Sequence, residues 1–153
     1  MTKPRTRLDR RRSLASDADL TEQLGNLLEQ AYNPRQLWLL FLDHDDRLSD
    51  VIMPCDDYPR DPDERFHHDE LGVTDFAHLL ADRLGDIIRL ADASRVVLVW
   101  ERPGPPEFGE DELSWARAMA DACREEGVPL RAQFCLHDGG IRILTPDDYA
   151  GVR

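Results

Sequence analysis

The sequence predicts a single α/β domain, a two- or three-layer sandwich built around a mixed β-sheet. Two continuous apolar runs, residues 37–42 and residues 96–100 within the segment 95–101, are typical of strands that are buried on both faces. Other segments place apolar residues every three or four positions, which is the pattern of amphipathic helices. Together these patterns predict the element order α-ββ-α-β-α-ββ.

The first elements are predicted to be a helix and a β-hairpin. A leucine stripe over residues 20–31 predicts the helix, with Asp17 or Asp19 as its amino-terminal cap. An aspartate-rich turn at residues 43–46 follows the first apolar run, and aspartate side chains satisfy backbone groups in turns. The run is therefore expected to pair antiparallel with residues 47–53.

The middle of the chain is predicted to be a long loop followed by a helix. Residues 54–72 hold three prolines and seven acidic residues, and loops of this length are usually functional or mobile. Thr74 is expected to cap a helix that carries a strong apolar stripe as far as Ala91. The strand of residues 95–101 comes next.

The last predicted unit is a helix followed by a hairpin. Residues 110–126 form the helix, which Gly127 ends in a left-handed conformation. Residues 129–137 and 141–145 form two strands that the Asp-Gly-Gly turn between them connects. The residues expected on the inner face of the helix are Leu113, Ala116, Met119, Ala120 and Cys123.

The charge is distributed unevenly along the chain. Residues 1–12 hold six basic side chains and one acidic side chain, a sum of +5 against -12 for the whole chain, which leaves -17 for the remainder. Nucleic acid is therefore expected to bind, if at all, only through residues 1–12, since phosphate binding needs a basic surface. Residues 1–17 are predicted to be a disordered basic tail, removable up to residue 15 without loss of fold, and residues 18–153 a single domain.

Cellular location follows from two further features. The three cysteines form no Cys-x-x-Cys pair, which is typical of a reducing compartment. The chain has no run of 18 apolar residues and no secretory signal pattern, so a membrane span is not expected. A cytoplasmic protein is predicted.

Three segments resemble successive units of one metalloprotein family. They are LWLLFLDHDDRLSD, HLLADRLGDIIRLADASRVVLVWERPG and EEGVPLRAQFCLHDGGIRILTPDDYA. Their order and spacing resemble the RadC branch of the JAB/JAMM superfamily over roughly residues 34–150. The resemblance implies a JAB/deaminase-like fold and, in active members, a zinc hydrolase.

The metal-binding positions of that family differ in this chain. The family's strand ends in His-x-His-Pro, and the two histidine positions carry Trp100 and Arg102 here. The family's later Asp-His pair corresponds to Ala132-Gln133. Neither an indole nor a guanidinium is a zinc ligand. Asp111, in the acidic start of the following helix, is the nearest acidic counterpart.

The candidate site therefore lies at the end of the strand of residues 95–101. No catalytic residue and no cofactor is predicted, and the pair His67-His68 is only a weak alternative metal site. Arg102 is expected to meet Glu110, Asp111 or Glu112 and to replace the ion as the local positive charge, although Glu101 and Arg102 could instead form an ordinary surface salt bridge. The cleft candidates are Trp100, Glu101, Arg102, Asp111, Ser114 and Gln133.

Three functions from different classes remain open at this point. The first is a non-catalytic JAB/RadC-like interaction or regulatory module with a protein partner or a second copy of itself. The second is a metal-independent or atypical hydrolase that uses the same cleft. The third is a nucleic-acid-associated protein that binds through the arginine-rich tail. Fold resemblance alone does not choose between them.

Overall fold

The structure is a computed structural model that describes residues 11–150. Among these residues, no helix has both the length and the apolar composition that a bilayer crossing requires. In chain order the elements are α1 (Asp17–Leu28), β1 (Gln36–Leu42), β2 (Leu48–Cys55), β3 (Arg65–His68), β4 (Gly72–Asp75), α2 (Phe76–Leu90), β5 (Arg95–Glu101), α3 (Glu110–Glu126), β6 (Leu130–His137), β7 (Gly140–Leu144) and α4 (Pro146–Tyr149).

A mixed five-stranded sheet in the order β2-β1-β5-β6-β7 forms the centre of the fold. β5 and β6 are parallel, because α3 carries the chain back across the sheet between them, and every other neighbouring pair is antiparallel. The predicted α/β class with a mixed sheet is confirmed. β5 lies in the middle of the sheet, so its end opens onto the loops and helix starts that surround it.

Helices cover both faces of the sheet and produce three layers. On one face, Leu20 of α1 packs against Leu40 and Val97. On the other face, α2 and α3 cover the alternate residues of the same strands, such as Leu39 and Leu98. Since successive strand residues face opposite sides, the continuous apolar runs of β1 and β5 supply both cores.

The first helix begins and ends earlier than predicted. Its cap is Ser16, whose hydroxyl accepts a hydrogen bond from Asp19 N at 3.1 Å, rather than either predicted aspartate. The helix ends at Leu28, because Glu29 takes a positive φ of 64°. The leucine stripe nevertheless packs on the sheet as expected.

The prediction of a disordered tail is wrong for residues 11–17. Leu14 is fully buried among the leucines of α1 and the sheet, and its backbone N donates to Asp46 O at 2.7 Å. Arg12 pairs with Asp19 and Glu22 at 2.5 and 3.0 Å. The buried leucine, the backbone hydrogen bond and the ion pairs of Arg12 together hold this segment against the domain. Residues 1–10 of the predicted tail lie outside the described residues.

The stretch predicted to be an irregular loop, residues 54–72, contains most of a second hairpin. β3 and β4 pair antiparallel, with Arg65 opposite Asp75. Asp75, rather than the predicted Thr74, caps α2 by accepting a hydrogen bond from His78 N at 2.8 Å. The short helix α4 after β7 was not predicted either.

Because Leu14 is fully buried, Leu14→Ala should lower the free energy of unfolding by about 2–5 kcal/mol. Leu90→Ala is the matched control, since Leu90 is 88% exposed and its truncation should change stability by less than about 0.5 kcal/mol. Urea unfolding of both variants measures the difference. A chain that starts at Ser16 should also be destabilised, and equal stability of the Leu14 variant and wild type would show that the segment is not docked.

Candidate functional site

The end of β5 directs three consecutive side chains to different surroundings. Trp100 is 3% exposed and faces the core under α2 and α3. Glu101 faces the opposite side of the sheet, where its carboxylate contacts Trp38 of β1. Arg102 follows the strand and lies on the same side as Trp100, against the first turn of α3. The alternative prediction of a surface salt bridge between Glu101 and Arg102 is therefore wrong, because the two side chains have different partners.

Arg102 is held by an ion pair with Glu112, and the two side chains are only 18% and 12% exposed. Its Nε donates to Glu112 Oε1 at 2.9 Å. Its two terminal nitrogens donate to the carbonyl oxygens of Pro105 and Glu107, the latter at 2.6 Å. The prediction that Arg102 meets a carboxylate in the first turn of α3 is confirmed. The guanidinium also fixes the β5–α3 loop.

Of the three predicted partners, Glu110, Asp111 and Glu112, it is Glu112 that pairs with Arg102, because it is the third residue of α3. A glutamate there can reach back to the residue before the helix, and Gly109 N donates to Glu112 Oε1 at 2.9 Å. That conformation turns the carboxylate towards the strand ends. The side chain of Asp111 is instead 71% exposed and lies 4.0 Å from Arg60.

The thiol of Cys135, in β6, donates a hydrogen bond to Glu112 Oε2 at 2.9 Å. A thiol beside a carboxylate could suggest a nucleophile with its base. Burial and then the neighbouring carboxylate, however, raise the pKa of Cys135 to about 12. The thiol is therefore neutral at pH 7, and it serves as a hydrogen-bond donor that completes the surroundings of Glu112.

The carboxylate of Glu101 fastens the connection between α1 and β1. Burial by itself would raise the pKa of Glu101, but the hydrogen bonds that it accepts favour the charged form and lower the pKa below its ordinary value. The residue is 3% exposed and stabilises the fold rather than presenting a reactive group. The donors are Tyr32 N, Asn33 N, Asn33 Nδ2 and Trp38 Nε1, at 2.6, 2.5, 3.1 and 2.7 Å.

Trp100 and Gln133 form a buried polar link between the sheet and α3. Trp100 Nε1 donates to Gln133 Oε1 at 2.9 Å, and Gln133 Nε2 donates to Ala116 O at 2.8 Å. The ring of Trp100 lies 5.7 Å from both Tyr58 and Trp115, measured between centroids. Gln133 is therefore behind the aromatic rings and outside the pocket that Trp100 lines.

A pocket of about 470 Å³ opens at the end of β5, and we call it the strand-end pocket. One wall is formed by residues just before β1 and just after β2. Arg35 holds this wall together, because its guanidinium stacks 3.8 Å from the centroid of the Tyr58 ring and donates to Pro59 O at 3.0 Å. The opposite wall is the start of α3. The lining residues are Pro34, Arg35, Tyr58, Arg60, Trp100, Glu101, Arg102, Gly109, Glu110, Asp111, Glu112 and Trp115.

A second cavity of about 480 Å³ lies beside the strand-end pocket along α3. Its lining includes Ser114, which the sequence placed in the same cleft as Arg102, together with Asp61 and Asp121. Arg60 and Asp111 line both cavities and separate them. Ser114 is therefore near Asp111 but apart from the other cleft candidates.

These residues do not fit the zinc ion that the family resemblance implies. Trp100 offers an indole N–H that is already donated, and Arg102 brings a positive charge to the strand end. Within the described part of the chain, no group of three or more His, Cys, Asp or Glu side chains is arranged to hold a metal. His67 and His68 are neighbours on β3 and point to opposite sides, and His68 Nδ1 accepts a hydrogen bond from Glu70 N at 3.2 Å.

The sequence analysis missed three residues of the pocket wall, Arg35, Tyr58 and Arg60. They lie in loops, where no periodicity marks a side chain as inward-facing. It also missed Trp115, whose Nε1 donates to Pro59 O at 3.0 Å. The helical spacing of Trp115 and Met119 was a usable signal, since both are fully or nearly fully buried.

No family model matches the sequence, and no curated protein matches it significantly. The function is therefore argued from the residues of the site.

Glu101→Gln should lower the free energy of unfolding by about 1–3 kcal/mol at pH 7, because the amide cannot accept every hydrogen bond that the carboxylate accepts. The folded-state pKa of Glu101 is lowered, so its contribution is present above the ordinary carboxyl pKa and is lost as pH falls through the folded value. The difference from wild type should therefore shrink in acid. Urea unfolding across pH measures it, with the exposed Glu126→Gln as control. A difference that does not change with pH would contradict this role.

Proposed function

We propose that the protein is a non-catalytic JAB/RadC-like domain that acts as an interaction or regulatory module. The observation that carries the proposal is the ion pair between Arg102 and Glu112 at the end of the central strand. In active relatives of the kind that the resemblance implies, this strand end supplies two metal ligands. Here a guanidinium brings the positive charge, and one carboxylate and two carbonyl oxygens accept its hydrogen bonds.

The arrangement of the sheet supports the same proposal. The mixed sheet has a hairpin before α2, β5 between β1 and β6, and a closing hairpin after α3, which is the α-ββ-α-β-α-ββ order on which the proposal rests. β3 and β4 form a further hairpin between β2 and α2. The candidate site falls at the carboxyl end of β5, where open α/β sheets commonly bind ligands.

The hydrolase alternative lacks a nucleophile with a suitable base. Ser114 lines the neighbouring cavity and has no base among its hydrogen-bond partners in residues 11–150. Cys135 is held neutral beside Glu112. Glu101 is committed to the α1–β1 connection. General acid–base chemistry needs a group that is free to exchange a proton with a substrate, and these groups are not.

The nucleic-acid alternative has little support from the described part of the basic segment. Arg12 is engaged by Asp19 and Glu22. A cation that is neutralised by two carboxylates attracts phosphate weakly. Of the other basic residues in this segment, Arg11 is described and is not free of interactions, whereas Lys3, Arg5, Arg7 and Arg10 lie outside the described residues.

Purified protein should contain less than about 0.1 zinc ions per chain, and adding zinc should leave its thermal midpoint unchanged, because a bound ligand would raise that midpoint. Arg102→His should not restore binding, since one imidazole does not make a tetrahedral site. Elemental analysis by mass spectrometry measures the metal content of both proteins. Stoichiometric zinc in the wild type, lost in Asp111→Asn or Glu112→Gln, would overturn the proposal.

A further inference from the structure

Resting on the proposed function, we propose that the strand-end pocket binds a free amino acid with an apolar or aromatic side chain, held as a zwitterion. The pocket has one basic wall, one acidic wall and an aromatic floor between them. A ligand with a carboxylate, an ammonium group and an apolar side chain matches all three. A module of this kind would report the concentration of a small metabolite to a partner.

The charges that remain for a ligand are those at the pocket rim. Arg102 and Glu112 neutralise each other inside the pocket. The carboxylate of Glu101 is directed to the other face of the sheet. The rim charges that are left are those of Arg35 and Arg60 on one wall and Glu110 and Asp111 on the other.

The two rim residues nearest each other form only a weak contact. Arg60 Nη1 and Asp111 Oδ2 are 4.0 Å apart, and their side chains are 85% and 71% exposed. Arg60 donates no side-chain hydrogen bond within residues 11–150, so its guanidinium is available to an incoming group. Exposed pairs of this kind contribute little to stability. A zwitterion can replace the contact with two charge-assisted hydrogen bonds, its carboxylate on Arg60 and its ammonium on Asp111.

Tyr58 supplies a polar group inside the pocket that has no partner. The residue is 8% exposed and lines the pocket, and its hydroxyl makes no hydrogen bond within the described residues. Within residues 11–150 the one buried side-chain nitrogen or oxygen without a partner is Asn26 Nδ2, so the Tyr58 hydroxyl is reached by solvent from the pocket and is open to a ligand. Burial keeps the hydroxyl protonated by raising the pKa of Tyr58 to about 12. It can therefore donate to a ligand oxygen at neutral pH.

The floor and the size of the pocket restrict the class of ligand. Trp100 and Trp115 supply aromatic surface at the floor. A volume of about 470 Å³ is within the range of small-molecule pockets and suits a molecule of about a dozen heavy atoms. Inorganic phosphate would meet the acidic wall without compensation, and a simple amine would meet the basic wall. A molecule with both charges avoids both penalties.

Isothermal titration calorimetry of the full chain with L-phenylalanine, L-leucine and L-tryptophan tests the proposal. At least one should bind with a Kd between about 10 µM and 1 mM, the range for ligands of this size. N-acetyl-L-phenylalanine lacks the ammonium charge, and L-phenylalanine amide lacks the carboxylate. If L-phenylalanine binds, each of its two derivatives should bind at least about tenfold more weakly. If L-leucine or L-tryptophan binds instead, the N-acetyl and amide derivatives of that amino acid replace those of L-phenylalanine.

Variants locate the site. Arg60→Ala and Asp111→Asn should each weaken binding by about tenfold, and Tyr58→Phe by about threefold to tenfold, through loss of one hydrogen bond each. The matched controls are Arg117→Ala and Asp121→Asn, which alter a partly exposed ion pair on the neighbouring cavity. These controls should leave the Kd within twofold of wild type.

Several results would overturn the inference. They are no binding by any of the three amino acids at 5 mM, equal binding by a derivative that lacks one charge, and equal losses in the control and rim variants. Zinc content of the same sample separates the two proposals. A zinc-free protein that binds no amino acid disproves the inference alone, whereas stoichiometric zinc disproves the proposed function on which it rests.

Discussion

The strand-end site depends on the carboxylate of Glu112. As the third residue of α3 it caps the helix through Gly109 N, and the same carboxylate accepts hydrogen bonds from Arg102 and Cys135. The two carboxylate oxygens of Glu112 thus link the start of α3 with the ends of the two parallel strands, β5 and β6. Charge-assisted hydrogen bonds that are mostly shielded from water are among the stronger polar contacts in proteins.

This arrangement also determines which charges can act on a ligand. Arg102 and Glu112 satisfy each other, so the inner part of the pocket is close to neutral. The exposed pair of Arg60 and Asp111 is left at the rim, where it costs little to separate. Arg102 at the strand end therefore leaves a pocket with a nearly neutral interior and a separable charge pair at its rim.

The sequence was sufficient to predict elements whose own residues determine them. The limits of α3 follow from its acidic start and from Gly127, which takes a φ of 70° as expected of a carboxyl-terminal glycine. β5 follows from an apolar run that is too short for an ordinary helix. Arg102 and its carboxylate partner could also be anticipated, since a strand end and the next helix start are neighbours in a β-α unit.

Other features depended on contacts between distant parts of the chain. Glu101 lines the pocket, but the partners that hold its carboxylate lie 63–69 positions earlier in the sequence and could not be predicted from it. Arg35 and Tyr58 meet because the register of the β1–β2 pair places Leu37 opposite Cys55, so that the residues just before β1 and just after β2 are neighbours. On α3, the predicted inner residues Ala116, Met119 and Cys123 are buried and Leu113 is partly buried against the core. Trp115 and Ala122 are also buried, although the spacing predicted Ala120 in their place. The spacing of apolar residues shows that a helix has a buried face, but packing against the sheet decides which residues lie at the centre of that face.

A double-mutant cycle on Arg102→Ala and Glu112→Gln, measured by urea unfolding, tests the central claim directly. The cycle cancels the separate contacts of each residue and leaves the coupling between them. We expect a coupling of about 1–3 kcal/mol, against less than about 0.5 kcal/mol for the longer and more accessible pair of Arg117 and Asp121, whose charged atoms are 3.7 Å apart. A coupling near zero between Arg102 and Glu112 would contradict the account, because the strand end would then not depend on their ion pair.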